Sequence, residues 1–264
     1  MTRLRRLFAR DGYTWTPSGE IVGGQHVVVS EALLSNLTDP QVIRDHLDRI
    51  DRAVSQDDPA QASEKGLAET AELARAGDRL STHLVNITDR AAVEALPAEV
   101  IARHGAVDGV AHVAGIIHRF APIADLSVEE IEKVVNVNYW GTVYVTKAFL
   151  PHLLKRPEAS LVNFSGMGAL VPVPGQGAYG SSKAAVKLFT ETLVAELRDT
   201  NVAVTVVFPG GVSTNITGNS GVAVPTGAAK VDTSKIPTTT PQDAGRQTVE
   251  AIEKGTSRLR IGKD

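Results

Sequence analysis

The distribution of apolar residues changes character along the chain, and from about residue 80 short apolar runs alternate with long amphipathic stretches. Residues 107–115 are almost continuously apolar, which is typical of a strand buried on both faces. Strands that alternate with helices of this length predict right-handed βαβ units and a parallel sheet covered by helices. The predicted strands are 80–87, 107–115, 160–165, 202–208 and 258–261, and the predicted helices are 91–104, 127–154, 177–199 and 242–254.

Residues 1–62 follow a different pattern. A strand is predicted within 21–29, and Thr38-Asp39-Pro40 is a good helix start because it offers a capping side chain and an early proline. The amphipathic spacing that follows is carried by Ile43, Leu47, Ile50 and Val54. Residues 56–63 are polar and contain Pro59. We therefore predict an atypical N-terminal segment, 1–62, joined near Ala62 to an α/β domain, 63–264.

Composition narrows the function classes. The 264 residues carry a net charge of −3, which gives no general attraction to nucleic acid or to an anionic membrane. There is no cysteine, so thiolate nucleophiles and disulfides are excluded and a cytoplasmic location is the default expectation. No apolar run reaches the ~20 residues of a membrane span, and no ligand spacing indicates a metal site.

The candidate chemistry begins at Tyr179-Gly180-Ser181-Ser182-Lys183, at the start of a predicted helix. Positions i and i+4 share one helix face, so the phenol and the ammonium point the same way. A nearby cation is expected to lower the pKa of a tyrosine toward the range of a general acid or base. Taken alone, this spacing is more often a surface Tyr and Lys one turn apart.

Other stretches strengthen the assignment because they occur in a matching order. They are Ala114-Gly115, Val137-Asn138-Tyr139-Trp140-Gly141, Leu161-Val162-Asn163-Phe164-Ser165 and Pro209-Gly210-Gly211-Val212-Ser213-Thr214. With the Tyr/Lys pair, they resemble the motifs of the short-chain dehydrogenase/reductase family from about residue 63 to the end. The resemblance implies a doubly wound parallel sheet, Rossmann-like in three αβα layers, preceded by the atypical N-terminal segment.

The resemblance also implies roles. Tyr179 would exchange a proton with an alcohol or ketone substrate, Lys183 would hold the nicotinamide ribose, and Asn138 would hold a water. Ser165 is the hydroxyl nearest the serine position of the family. The cofactor would be NAD or NADP, and helices 127–154 and 177–199 would form a homodimer or homotetramer. The implied cofactor contacts are Asn86, Ile87, Ala114, Gly115, Tyr179, Lys183, Pro209, Gly210, Val212 and Thr214.

The chain departs from the family where cofactor and substrate are held. The glycine-rich turn after the first strand is missing, and the catalytic serine, 13 residues before the tyrosine in the family, falls on Gly166. Because the turn carries the pyrophosphate contacts, we expect weak cofactor binding and little turnover. Two hypotheses stay open: an oxidoreductase of impaired activity, or an inactive remnant serving as an interaction and oligomerisation module.

Several smaller expectations complete the picture. Residues 36–62 weakly resemble the C-terminal domain of abortive-infection proteins, and residues 27–30 are expected to fill the slot of the missing first strand. His112 is expected to be a core or pocket-edge histidine with its ring nitrogens hydrogen-bonded, rather than a metal ligand. His118 and Arg119 follow a strand and either contact substrate or are solvated, and residues 213–240 are predicted to form a lid.

Overall fold

The computed structural model describes residues 14–15, 21–22, 80–213, 216, 220, 222 and 238–262. Near the N-terminus, strands β1 (Thr14–Trp15) and β2 (Ile21–Val22) pair antiparallel. Of the predicted strand within 21–29, only these two residues are described. The expected strand at 27–30, the helix after Thr38, Thr214 and most of the predicted lid lie outside the described residues.

A parallel four-stranded sheet forms the centre of the remaining chain. Its strands are β3 (Gly109–His112), β4 (Ala159–Phe164), β5 (Val202–Pro209) and β6 (Arg258–Ile261), hydrogen-bonded in the order β3-β4-β5-β6. The register places His112 beside Asn163. Because all four strands run the same way, their carboxyl ends lie along one edge of the sheet.

Helices connect and cover these strands. They are α1 (Arg90–His104), α2 (Val128–Val135), α3 (Gly141–Leu153), α4 (Gly177–Glu196) and α5 (Pro241–Lys254). Helix α2 begins with a capping box in which Ser127 and Glu130 satisfy each other's backbone N–H groups. Thr240 caps α5, which has Pro241 in its first turn, the position that proline fits best.

The two faces of the sheet are both packed. Val110 belongs to a core cluster with α1, α3 and α4, and the next residue, Ala111, belongs to a second cluster with α5. Successive side chains of a strand point to opposite faces, so one strand contributes to both cores. The predicted doubly wound parallel α/β architecture is therefore confirmed.

The helix predicted over 127–154 runs without interruption but not with one geometry. Between α2 and α3 the segment Asn136–Trp140 is a π-helix, in which hydrogen bonds span five residues rather than four. Asn138, with no exposed surface, lies inside this π segment. Such segments are found mostly at functional sites.

The predicted strand at 80–87 is wrong. Residues 80–86 have no strand ladder, although exposure alternates along them, with Leu84 outward and Val85 inward. A strand needs a hydrogen-bonded neighbour, and within the described part of the chain β3 pairs only with β4. Since β3 does not pair with 80–87, the slot assigned to residues 27–30 stays a prediction.

No helix among the described residues is long and apolar enough to cross a membrane.

Candidate active site

The residues of the predicted site converge at the carboxyl edge of the sheet. Tyr179 and Lys183 lie one turn apart near the start of α4, and Asn138 approaches from the π segment. The backbone that follows β3 and β4 passes between them. This is the edge at which open α/β sheets bind ligands.

Asn138 uses its amide to hold the loop after β3. Its Oδ1 accepts the backbone N–H of Ile116 at 2.8 Å, and its Nδ2 donates to the carbonyl of Ile116 at 2.9 Å. The same Nδ2 donates to Ser182 Oγ at 2.9 Å, and Ser182 Oγ donates to the carbonyl of Tyr179 at 2.7 Å. The π segment, the loop and the start of α4 are thus joined by one buried amide.

Lys183 is buried, with 4% of its surface exposed, and its Nζ donates to the carbonyl of Phe164 at 3.0 Å. A Cβ on Gly115 would lie 2.8 Å from that nitrogen and 3.3 Å from Asn138 Oδ1. A side chain at position 115 would therefore force the Lys183 ammonium to move from this place. Burial lowers the pKa of Lys183 to about 8, because the charged form loses its hydration.

Tyr179 stands beside this cation, with Lys183 Nζ 5.9 Å from the centre of its ring. The expectation of a lowered pKa is wrong for the structure as it stands. Burial raises the pKa of Tyr179 to about 12, because the phenolate loses its hydration. Near neutral pH the phenol is protonated and is a proton donor.

Ser165 and Gly166 present opposite sides of the chain to this tyrosine. Ser165 is buried and its Oγ donates to the carbonyl of Lys183 at 2.8 Å, so the structure does not bring this hydroxyl to the phenol. A Cβ on Gly166 would lie 3.4 Å from Tyr179 Oη. The position facing the phenol is thus 166, where the sequence has no side chain.

Five of the expected cofactor contacts lie at the ends of β3 and β5. Ala114 and Gly115 follow β3, Pro209 is the last residue of β5, and Gly210 and Val212 follow β5. The backbone after β5 is fixed because Gly210 N–H donates to Ile261 and Ser213 N–H donates to Thr239. Asn86 and Ile87 precede α1. The Asn86 Oδ1 accepts from Thr88 N and Oγ1, and Ile87 packs on Gly141.

Two site residues were missed from the sequence. Ser182 bridges Asn138 and Tyr179, and only its place in the Ser-Ser-Lys tripeptide could have suggested it. Thr142 Oγ1 donates to the carbonyl of Asn138 at 2.6 Å, within the π segment. Ser182 thus accepts from the side-chain amide of Asn138, and Thr142 holds the backbone of Asn138.

His112 is buried as predicted, but neither ring nitrogen has a hydrogen-bond partner among the described residues. Burial, with a smaller effect from Lys183, lowers the pKa of His112 to about 3, so the ring is neutral. The expected burial of His112 is therefore confirmed, whereas the expected hydrogen bonds are not found among the described residues. No group of three metal-ligating side chains occurs in the described ranges.

Comparison with known proteins decides the family. A family model for short chain dehydrogenases matches residues 59–223. SadH of Mycobacterium tuberculosis is 35% identical over 204 residues, covering 75% of this chain and 73% of that protein. This chain belongs to the short-chain dehydrogenase family. Dehydrogenase/reductase SDR family member 7B of mouse is also 35% identical, over 51% of this chain and 42% of that protein.

Solved structures of this family share the fold. A short-chain dehydrogenase/reductase of Burkholderia phymatum in complex with NAD aligns with a TM-score of 0.67 at 20% identity, covering 90% of this chain and 89% of that chain. The closed form of a serine dehydrogenase complexed with NADP+ aligns with a TM-score of 0.64 at 25% identity, covering 76% and 82%. The chain is therefore a Rossmann-fold member of an oxidoreductase family whose structural neighbours bind NAD or NADP.

Proposed function

We propose that this chain is an NAD(P)-dependent oxidoreductase of alcohol and carbonyl substrates, with activity reduced by two defects in its site. The observation that carries the proposal is the convergence of Tyr179, Lys183 and Asn138 on the carboxyl edge of the sheet. Side chains cannot carry hydride, so a nicotinamide supplies that part of the chemistry when bound.

The described residues fit the nicotinamide half of such a cofactor. An ammonium has three hydrogens, and among the described residues Lys183 has one acceptor, the carbonyl of Phe164. Two hydrogens are left to donate to ribose hydroxyls. Gly115 leaves the strand end bare beside the ammonium, and the backbone at Gly210 and Val212 is fixed to its neighbours. We propose these residues, with Ala114, Pro209, Thr214, Asn86 and Ile87, as the cofactor site.

The protein's own part in the reaction is proton transfer at Tyr179 Oη. In the reducing direction the neutral phenol donates its proton to the carbonyl oxygen of the substrate, which becomes a hydroxyl. The phenolate so formed is stabilised by the Lys183 ammonium. Asn138 keeps the loop after β3 in place and orients Ser182 beneath the tyrosine backbone. We assign Ser165 a positioning role, because its hydroxyl is bound to Lys183.

The two defects act on different steps. The missing glycine-rich turn removes backbone N–H groups that hold a pyrophosphate, which weakens binding by orders of magnitude. Gly166 removes a hydroxyl that would polarise the substrate oxygen, and one such donor is worth roughly 100-fold or more in rate.

The test is a nicotinamide fluorescence titration with NADH and NADPH, combined with turnover of a panel of aldehydes and ketones. We expect binding weaker than micromolar and low turnover. Micromolar binding with turnover abolished by Tyr179→Phe would show a fully active enzyme and overturn the impairment. No fluorescence change and no turnover at millimolar cofactor, even in Gly166→Ser, would leave the interaction module as the function.

The segment 1–62 and the assembly belong to the same proposal. The family match begins at residue 59, which supports a seam near Ala62.

Trp140 is 42% exposed and stacks on Tyr144, and Leu188 is 65% exposed, which supports association of the α2–α3 and α4 helices into a dimer or tetramer. A monomer in sedimentation at micromolar concentration would contradict this. The absence of cysteine supports a cytoplasmic location.

A further inference from the structure

We infer that the substrate carries an extended, uncharged apolar substituent, which lies on an apolar rim beside Tyr179. The rim consists of Phe120, Ile123, Leu170, Val171 and Val173. This inference names the substrate class for the proposed oxidoreductase site and rests on that function.

The rim is built from two loops that contact each other. Phe120 and Ile123 lie on the loop after β3, and the other three residues lie on the loop after β4. The backbone N–H of Ala121 donates to the carbonyl of Gly175 at 3.2 Å, which ties the loops together. A Cβ on Gly175 would lie 3.9 Å from Phe120 Cα. The two sets of side chains therefore form one surface.

This surface is continuous with the reacting group. Gly168 lies against the Tyr179 ring, since a Cβ there would be 3.6 Å from two ring carbons. Leu170 comes two residues later, at the end of the short 3-10 helix Met167–Ala169. From the other loop, the end of the Ile123 side chain lies against Gly177 in the first turn of α4. Ile123 of the rim thus contacts Gly177, which precedes Tyr179 by two residues.

The rim exposes large apolar side chains to solvent, which is unfavourable. Between 44% and 56% of the surface of each rim residue is exposed. Five large apolar side chains grouped on two contacting loops are more than isolated exposed residues, and such patches mark binding sites. Ligand pockets are lined mainly by apolar groups with few polar ones, as the pairing of this rim with Tyr179 provides.

Charge argues against an anionic substituent. Residues 165–182 contain no Lys, Arg, Asp or Glu. In the other loop, Arg119 is bound to Glu130 through Nε at 2.7 Å and Nη2 at 3.2 Å, and it also donates to the carbonyl of Asp125. The described loops thus offer no unpaired lysine or arginine to a phosphate or carboxylate, and Asp125 would repel one.

The test separates the rim from the catalytic proposal by measuring binding without turnover. Isothermal titration of 2-hexanone, 2-octanone, 2-decanone and 2-dodecanone into the full chain should show affinity rising up to about fourfold per methylene. Val171→Asp and Ile123→Asp should each flatten that rise. Leu154→Asp is the matched control, because Leu154 is 41% exposed but lies at the other end of α3, beside the amino end of β4.

The outcomes are distinguishable. A chain-length rise that Val171→Asp abolishes supports the rim, even where turnover is absent and the oxidoreductase proposal fails. Equal affinity across the series, or a rise unchanged by both rim variants, overturns the rim even where turnover is measured. Sedimentation in which the rim variants convert a dimer to a monomer also overturns it, since the surface would then cover a second copy of the chain.

Discussion

Two neighbouring parts of the site differ in how completely they are built. The proton-transfer side is formed by Tyr179, Lys183 and Asn138. Asn138 and Lys183 are hydrogen-bonded to backbone groups, and Gly115 leaves space for the Lys183 ammonium. The side facing it, at the end of β4, has Gly166 where a side chain would meet the phenol. The backbone there is extended and suits any residue, with φ 167° and ψ 166°.

From this difference we infer that proton transfer and substrate polarisation depend on separate parts of the structure. Asn138 and Lys183 are held by backbone groups of Ile116 and Phe164, and neither needs a hydroxyl at 166. In the proposed reaction, a side chain at 166 would therefore affect substrate polarisation and not proton transfer. Four substitutions test whether the two sides of the site are independent.

The largest effect is expected from Gly166→Ser. The new Cβ would lie 3.4 Å from Tyr179 Oη, so the hydroxyl would reach a substrate oxygen held by the phenol. At saturating millimolar cofactor, kcat should rise roughly 100-fold. At micromolar cofactor the rate should rise by the same factor, but the absolute rate should stay low because little cofactor is bound. Gly166→Ala is the control, and an equal rise with alanine would contradict the role of the hydroxyl.

Lys183→Met should stabilise the protein while removing activity. The folded pKa of about 8 lies below the unfolded value of 10.5, so the buried charge opposes folding at neutral pH. Loss of the bond to Phe164 offsets part of the gain, which leaves roughly 2–3 kcal/mol. The gain should be full below pH 8 and vanish toward pH 10.5, as urea denaturation at several pH values can show. A destabilised variant at pH 7 would refute it.

His112→Asn should reduce acid sensitivity. The folded pKa of about 3 is below the unfolded 6.5, so the unfolded state binds more protons between these values and stability falls with acidification. The slope approaches about 1.4 kcal/mol per pH unit for one group. His104, whose pKa is also lowered by burial, leaves a residual slope. An unchanged slope between pH 6.5 and 4.5 would speak against a neutral His112.

The smallest effect is expected from Ser165→Ala. It removes one hydrogen bond to the Lys183 carbonyl, worth about 1 kcal/mol of unfolding free energy, and should leave kcat within a factor of a few. Thermal denaturation and kcat at saturating cofactor measure the two quantities. A loss of kcat near 100-fold would mean that Ser165, rather than position 166, faces the substrate.

The sequence predicted what depends on local spacing. The i, i+4 relation of Tyr179 and Lys183 and the apolar run before Gly115 were enough to place the site on a parallel sheet. What failed depends on distant contacts: the 80–87 stretch lacks a described partner, and the pKa of Tyr179 responds to burial supplied by other elements. The π segment was not predicted either, because apolar periodicity does not distinguish one extra residue in a turn.

That extra residue has a consequence for how this part of the chain tolerates insertions and deletions. Each residue of an α-helix turns the chain by about 100°, so the π segment offsets the angular phase of α2 from that of α3. The offset lets Ile131 of α2 pack with Ala121, Leu126 and Ala178 while Val145 and Phe149 of α3 face the main core. A one-residue deletion within 136–140 would keep an unbroken helix and rotate Ile131 out of its cluster. The length of this stretch is therefore constrained in addition to the identity of Asn138.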